Sequence, residues 1–145
     1  RCVGDCGLEA ITAAIVLSDC NGLKCLLGLS TTPNALCGQQ QLVRAVNVLR
    51  MILILIDDRR VARRLDASPP LESAQAHGWL TALDLRALCC WIQIDLTTIE
   101  THEGVGRRAS RFGKDLKAGC TRLLEICLEQ REVGHWELVH LNEGI

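Results

Sequence analysis

Tyrosine is absent, phenylalanine occurs once and tryptophan three times in 145 residues. So few aromatic rings leave almost nothing on which to stack the bases of a single-stranded nucleic acid. Charge of one sign is also missing. The formal net charge is −1, and a dedicated nucleic-acid binder needs an overall basic face to neutralise phosphates. Long hydrophobic runs are lacking as well. Met51–Ile56 gives an uninterrupted apolar stretch of only six residues, against the ~20 needed to cross a bilayer, so no membrane span is expected. No positively charged leader followed by an apolar core opens the chain at Arg1, as a secretory signal would.

What is present is enough apolar material for a core. The chain is 48% hydrophobic and 23% charged, which excludes disorder and fits one domain over residues 1–145. A first residue other than Met gives the expectation of a domain excised from a longer polyprotein. Nine cysteines are the compositional anomaly. Their odd number, the lack of a signal and the length of the chain disfavour a disulfide scaffold, so reduced thiols and a cytoplasmic location are expected.

Residues 7–17, GLEAITAAIVL, are nearly all apolar or small and read as a buried helix. Gly4 and Asp5 supply a turn and an acidic group at its start, which places Cys6 at a helix N-terminus. Residues 20–38 read as loops around a short apolar piece. QQQLVRAVNVLR over 39–50 puts Leu42, Val43, Val46 and Leu49 on one helical face, and MILILI is read as a strand. Ser68-Pro69-Pro70 marks a linker. Thr81 with Asp84 resembles a capping box before ALDLRALCCW, and IQIDLTTI alternates like a half-buried strand. EGVGRRASRFG reads as a basic, glycine-punctuated loop. TRLLEICLE, a polar turn and HWELVHL read as a hairpin whose last strand points His135, Glu137 and Val139 one way and Trp136, Leu138 and His140 the other.

A thiol becomes a nucleophile where a helix N-terminus and an imidazole hold it as thiolate. Cys6 has the first by position, and His135, 129 positions later, is the candidate base. Glu137, on the same strand face, is the natural group to fix the imidazole's tautomer, with Asn142 as the alternative. Cys90, followed by Trp91, is a rival nucleophile, disfavoured by lying at a helix C-terminal end where the backbone field is negative; otherwise Cys89 and Cys90 fill the core. Cys20, Cys25 and Cys37, or Cys120 and Cys127, lack the tight spacing of a zinc site, so no metal and no cofactor is assigned beyond a weakly supported structural zinc. His77, His102 and His140 have no partner at ligand spacing. The arginines at 59–64 and at 107, 108 and 111 read as solvated surface.

Three segments resemble the papain-like cysteine proteases of viruses, of the ovarian-tumour (OTU) deubiquitinase type, and in particular the arterivirus enzyme. GDCGLEAI resembles the nucleophile turn and central helix, WLTALDLRAL the helix that precedes the strands, and GHWELV the general-base strand. The resemblance implies an α+β papain-like, OTU-like fold, with the nucleophile on an N-terminal central helix packed against a small C-terminal antiparallel sheet. It implies Cys6 as nucleophile, His135 as general base and acid, Glu137 as the orienting third member, and Trp136 with Trp79 along a narrow substrate channel. Asp5 and the Cys6 N–H would serve the oxyanion. The implied substrates are polypeptides with a glycine-containing cleavage site, in a viral polyprotein and in ubiquitin. Val3 stands where OTU enzymes usually carry Asp. Bacteriocin-type double-glycine peptidases, which also open on Asp-Cys-Gly, and an inactive protease-fold interaction module are the alternatives.

Overall fold

The computed structural model describes residues 6–32, 38–56, 80–112, 122–132 and 135–143. Four helices, α1 (Cys6–Leu17), α2 (Asn21–Leu26), α3 (Gln39–Ile56) and α4 (Ala82–Trp91), precede four strands, β1 (Ile94–His102), β2 (Gly106–Arg111), β3 (Leu124–Glu132) and β4 (His135–Glu143). The fold class is α+β, as expected, but the sheet is mixed. Its order is β2-β1-β3-β4, with β1 and β3 parallel and the two outer pairs antiparallel.

The helices lie on one face of the sheet, α1 against β4 and α4 against β1, with α3 packed on both. Alternation along the strands decides what meets them. Ile94, Leu96 and Thr98 of β1 and Leu124, Ile126 and Leu128 of β3 are buried beneath the helices. Leu8, Ile11 and Ile15 of α1, Leu49 and Leu53 of α3, and Leu85 and Leu88 of α4 fill the other side. Each is spaced by three, four or seven residues, the interval that returns to the same helical face.

Two expected boundaries are corrected. MILILI continues α3 and is not a strand: Ala45, Val46, Leu49, Ile52 and Leu53 bury one stripe straight through it, while Val43 is half exposed. A six-residue apolar run fits a helix or a strand equally well, and here the preceding helical periodicity wins. At 18 residues with a mean hydropathy of 1.2, α3 is also the one described helix long and apolar enough to cross a membrane by length and composition, with 22% of that window buried. EGVGRRASR is not a loop but the turn and second strand of a hairpin. Gly104 and Gly106 adopt φ of +79° and +90°, a conformation that side chains disfavour, and β2 pairs with β1 from His102↔Gly106 to Thr97↔Arg111. Residues 21–26 form a short helix inside the expected loop region.

The capping box and the terminal hairpin are found where the sequence places them. Thr81 accepts a hydrogen bond from the Asp84 N–H at 3.3 Å, and the Thr81 N–H donates to Asp84 Oδ2 at 3.0 Å, closing the capping box. The terminal hairpin is formed by β3 and β4. The Ser68-Pro69-Pro70 linker, Gly4, Asp5, Trp79, His77 and the arginines at 59–64 lie outside the described residues.

Candidate functional site

Cys6 is the first described residue of the chain and lies in α1 (Cys6–Leu17). The first turn of this helix packs closely at Gly7: a Cβ there would come within 2.8 Å of Leu85 Cδ2 and 3.4 Å of Trp136 Cδ1. The first turn of α1 therefore sits directly on the start of β4, one residue from His135. Trp136 is the anchor of this junction. It is 2% exposed, and its Nε1–H donates to the Leu80 carbonyl at 2.9 Å. The side chain that the resemblance assigns to a channel wall is thus packed into the core beneath α1 and the entry to α4.

His135 and Glu137 meet as the strand alternation requires. His135 Nε2 lies 3.1 Å from Glu137 Oε1, and both side chains occupy the sheet face opposite the helices and Trp136. Nε2 faces the carboxylate and is the nitrogen that donates to it, and Nδ1 has no hydrogen-bond partner among the described residues. The hydrogen bond from His135, reinforced by the charge of Arg131, holds the Glu137 carboxyl below the ordinary carboxylate range.

Asn142, the alternative orienting residue, is not brought to His135. It pairs with Glu125 at the far end of β4, roughly 20 Å along the strand at ~3.4 Å per residue. A register shift between Cys127 and Leu128 also changes the expected facing. His140 lies opposite Cys127, on the face of His135 and Glu137, whereas Leu141, opposite Ile126, joins Trp136 on the core face. Simple alternation through HWELVHL misses this because a bulge inserts one residue.

The thiols divide differently from expectation. Cys6 is disulfide-bonded, which corrects the expectation of a free thiol at that position. Cys20, Cys25, Cys89, Cys90 and Cys127 are free, so the other half-cystine lies outside the described residues. Burial pushes the Cys89 thiol far up, out of the range in which it ionises, as befits a core-filling side chain. Cys90, the rival nucleophile, lies at the C-terminal end of α4 and is partly buried. Among the described residues no group of three His, Cys, Asp or Glu side chains is arranged to hold a metal ion.

The charged contacts that simple motif spacing misses join residues of β1, β2, β3 and β4 with Arg122, just before β3. Arg131 Nε is 3.0 Å from Glu137 Oε2 and 3.1 Å from Glu129 Oε1, and Arg107 binds Glu129 in turn. Asp95, 1% exposed, receives Arg111 at 2.6 Å and Arg122 at 2.7 Å. The signal was the alternation Glu125, Cys127, Glu129, Arg131 along β3, which marks a polar sheet face. No family model, curated protein or solved structure matches the chain.

Proposed function

We propose that the chain is a thiol-dependent peptidase of papain-like, OTU-like design, with Cys6 as nucleophile, His135 as base and acid, and Glu137 as the orienting group. The observation that carries this reading is the His135–Glu137 pair at 3.1 Å, a base with its orienting carboxylate at the first residues of β4; the pair lies on the sheet face away from α1, so the reading requires the Cys6 thiol to reach it round the end of the strand. The junction of Gly7 with Trp136 supports it by bringing the α1 N-terminus to the strand that bears the pair. A helix N-terminus concentrates unsatisfied N–H groups and positive potential, which favour both a thiolate and an oxyanion.

The chemistry requires Cys6 as a thiol, so an external dithiol must first reduce the disulfide, supplying two electrons and two protons and itself becoming a disulfide. His135 Nδ1 then takes the thiol proton, and the thiolate attacks the carbonyl carbon of the scissile bond. Backbone N–H groups at the start of α1 bind the developing oxyanion. The imidazolium returns its proton to the leaving amine, and water hydrolyses the thioester. The substrate class is a polypeptide cleaved after glycine, in a polyprotein or in the tail of a ubiquitin-like protein.

The disulfide at Cys6 favours a second reading, a protease-like domain retained for binding a partner, in which Cys6 is structural. A ubiquitin probe bearing a C-terminal electrophile separates the two. The peptidase reading expects labelling of the reduced chain, loss of labelling in Cys6→Ala and in His135→Ala, and retention in Cys90→Ala. Labelling that survives Cys6→Ala defeats it.

A further inference from the structure

On the sheet face turned away from the helices, a row of alternating charges runs from β2 to the His135–Glu137 pair. Glu137 engages both of its oxygens, Oε1 with His135 Nε2 at 3.1 Å and Oε2 with Arg131 Nε at 3.0 Å. The same Arg131 Nε lies 3.1 Å from Glu129 Oε1, and Arg107 binds Glu129 Oε2. Glu129 and Glu137 are directly opposite each other in the β3–β4 register. Like charges so placed repel across a strand pair, and Arg131 stands between them.

The two carboxylates are not equivalent. The Glu129 side chain is 12% exposed and held by two arginines, whereas Glu137 is 47% exposed and belongs to the outer strand. An exposed glutamate held by a single hydrogen bond would sample several rotamers, and a second anchor removes that freedom. The fixed end of the row is Glu129 and the adjustable end is Glu137, so orientation passes outward through Arg131.

We propose that Arg131, clamped by Glu129, is a positioning residue that fixes the Glu137 carboxylate against His135. This rests on the reading of Cys6, His135 and Glu137 as the reacting set. Among the described residues, the other ionisable groups at neighbouring register positions are Glu132, opposite His135, Cys127 of β3 and His140 of β4, with Arg107 of β2 reached through Glu129; α1 on the opposite face carries Glu9, and its Cys6 is disulfide-bonded.

The test uses the full reduced chain with Arg131→Met, Arg131→Lys and Glu129→Gln. Carbon NMR of the Glu137 carboxyl follows its titration directly, and hydrolysis of a glycine-ended fluorogenic peptide gives kcat and KM. Arg131→Met is expected to raise the Glu137 midpoint by about half a pH unit, modest because both side chains are near half exposed. It should also lower kcat about tenfold with KM nearly unchanged, the pattern of a misplaced group. Arg131→Lys should recover most of both effects, and Glu129→Gln should reproduce part of them. A Glu137 midpoint that does not move in Arg131→Met, or a kcat that does not fall, overturns the proposal. A midpoint that moves as expected in a chain whose wild type never hydrolyses peptide upholds the carboxylate clamp and defeats the peptidase reading instead.

Discussion

Gln93 is the only non-glycine residue among those described with a left-handed backbone, at φ 65°. It follows the C-cap of α4, Ile92, where the chain leaves the helix for β1, and its carbonyl accepts a hydrogen bond from the Leu123 N–H at 2.9 Å. Glycine takes this conformation without the Cβ penalty. Gln93→Gly is therefore expected to stabilise the fold by about 1 kcal/mol, read as a higher midpoint in urea; a lower midpoint would mean that the glutamine side chain contributes contacts worth more than the strain. Asp95 makes the opposite case. Burial alone would push its carboxyl up, and the hydrogen bonds and charges of Arg111 and Arg122 outweigh that, so it sits below the ordinary carboxylate range. A depressed carboxyl adds stability that is fully present above its unfolded pKa and is lost as pH falls through the folded one. Wild type is thus expected to lose stability from about pH 4 downward, and Asp95→Asn to lack that component. Arg111 is 61% exposed and keeps its water when the partner is removed, so the neutral-pH cost is at the low end for a broken buried pair, about 3 kcal/mol. Chemical denaturation at pH 7 and at pH 3 measures both values.

At the scale of elements, α4 and the start of α1 carry the most specific local instructions. Thr81 and Asp84 satisfy each other's backbone N–H groups, and Thr81→Ala should cost about 1 kcal/mol. At Gly7 there is no room for a larger residue against Leu85 and Trp136. Gly7→Val is expected to cost about 2–3 kcal/mol through overpacking. It should also part α1 from β4, which a fall in protection of the β4 amides from hydrogen exchange would record. The capping box was legible in the sequence, being a local pattern complete within four residues; the close approach at Gly7 was not, because Leu85 and Trp136, which it meets, are remote in sequence. The end of α3 was not legible, because an apolar run of six residues carries no period of its own. The β1–β2 turn was masked by its charge: Gly104 and Gly106 signal a hairpin, but Arg107, Arg108 and Arg111 read as loop surface until Glu129 and Asp95 are found across the sheet to receive two of them.

For the whole molecule, the sequence placed the helix-borne cysteine and the strand-borne histidine and glutamate in the right elements. What it did not disclose is what joins them. The contact of Gly7 with Trp136, the row from Arg107 through Glu129 and Arg131 to Glu137, and the removal of Asn142 to the far end of β4 all depend on strand order and register, which non-local pairing sets. The redox state of Cys6 was likewise hidden, since an odd cysteine count argues against a full disulfide framework but does not exclude a single bridge. The central claim is that reduction turns Cys6 into a nucleophile served by His135 and Glu137. The most direct measurement is the mass of the full chain after exposure to an electrophilic glycine-ended probe, before and after treatment with a dithiol, followed by peptide mapping. The account predicts one adduct, on Cys6, formed only after reduction and lost in His135→Ala. Rapid modification of the other thiols with Cys6 unreactive in the reduced chain, or equal labelling of Cys6 in wild type and His135→Ala, would contradict it.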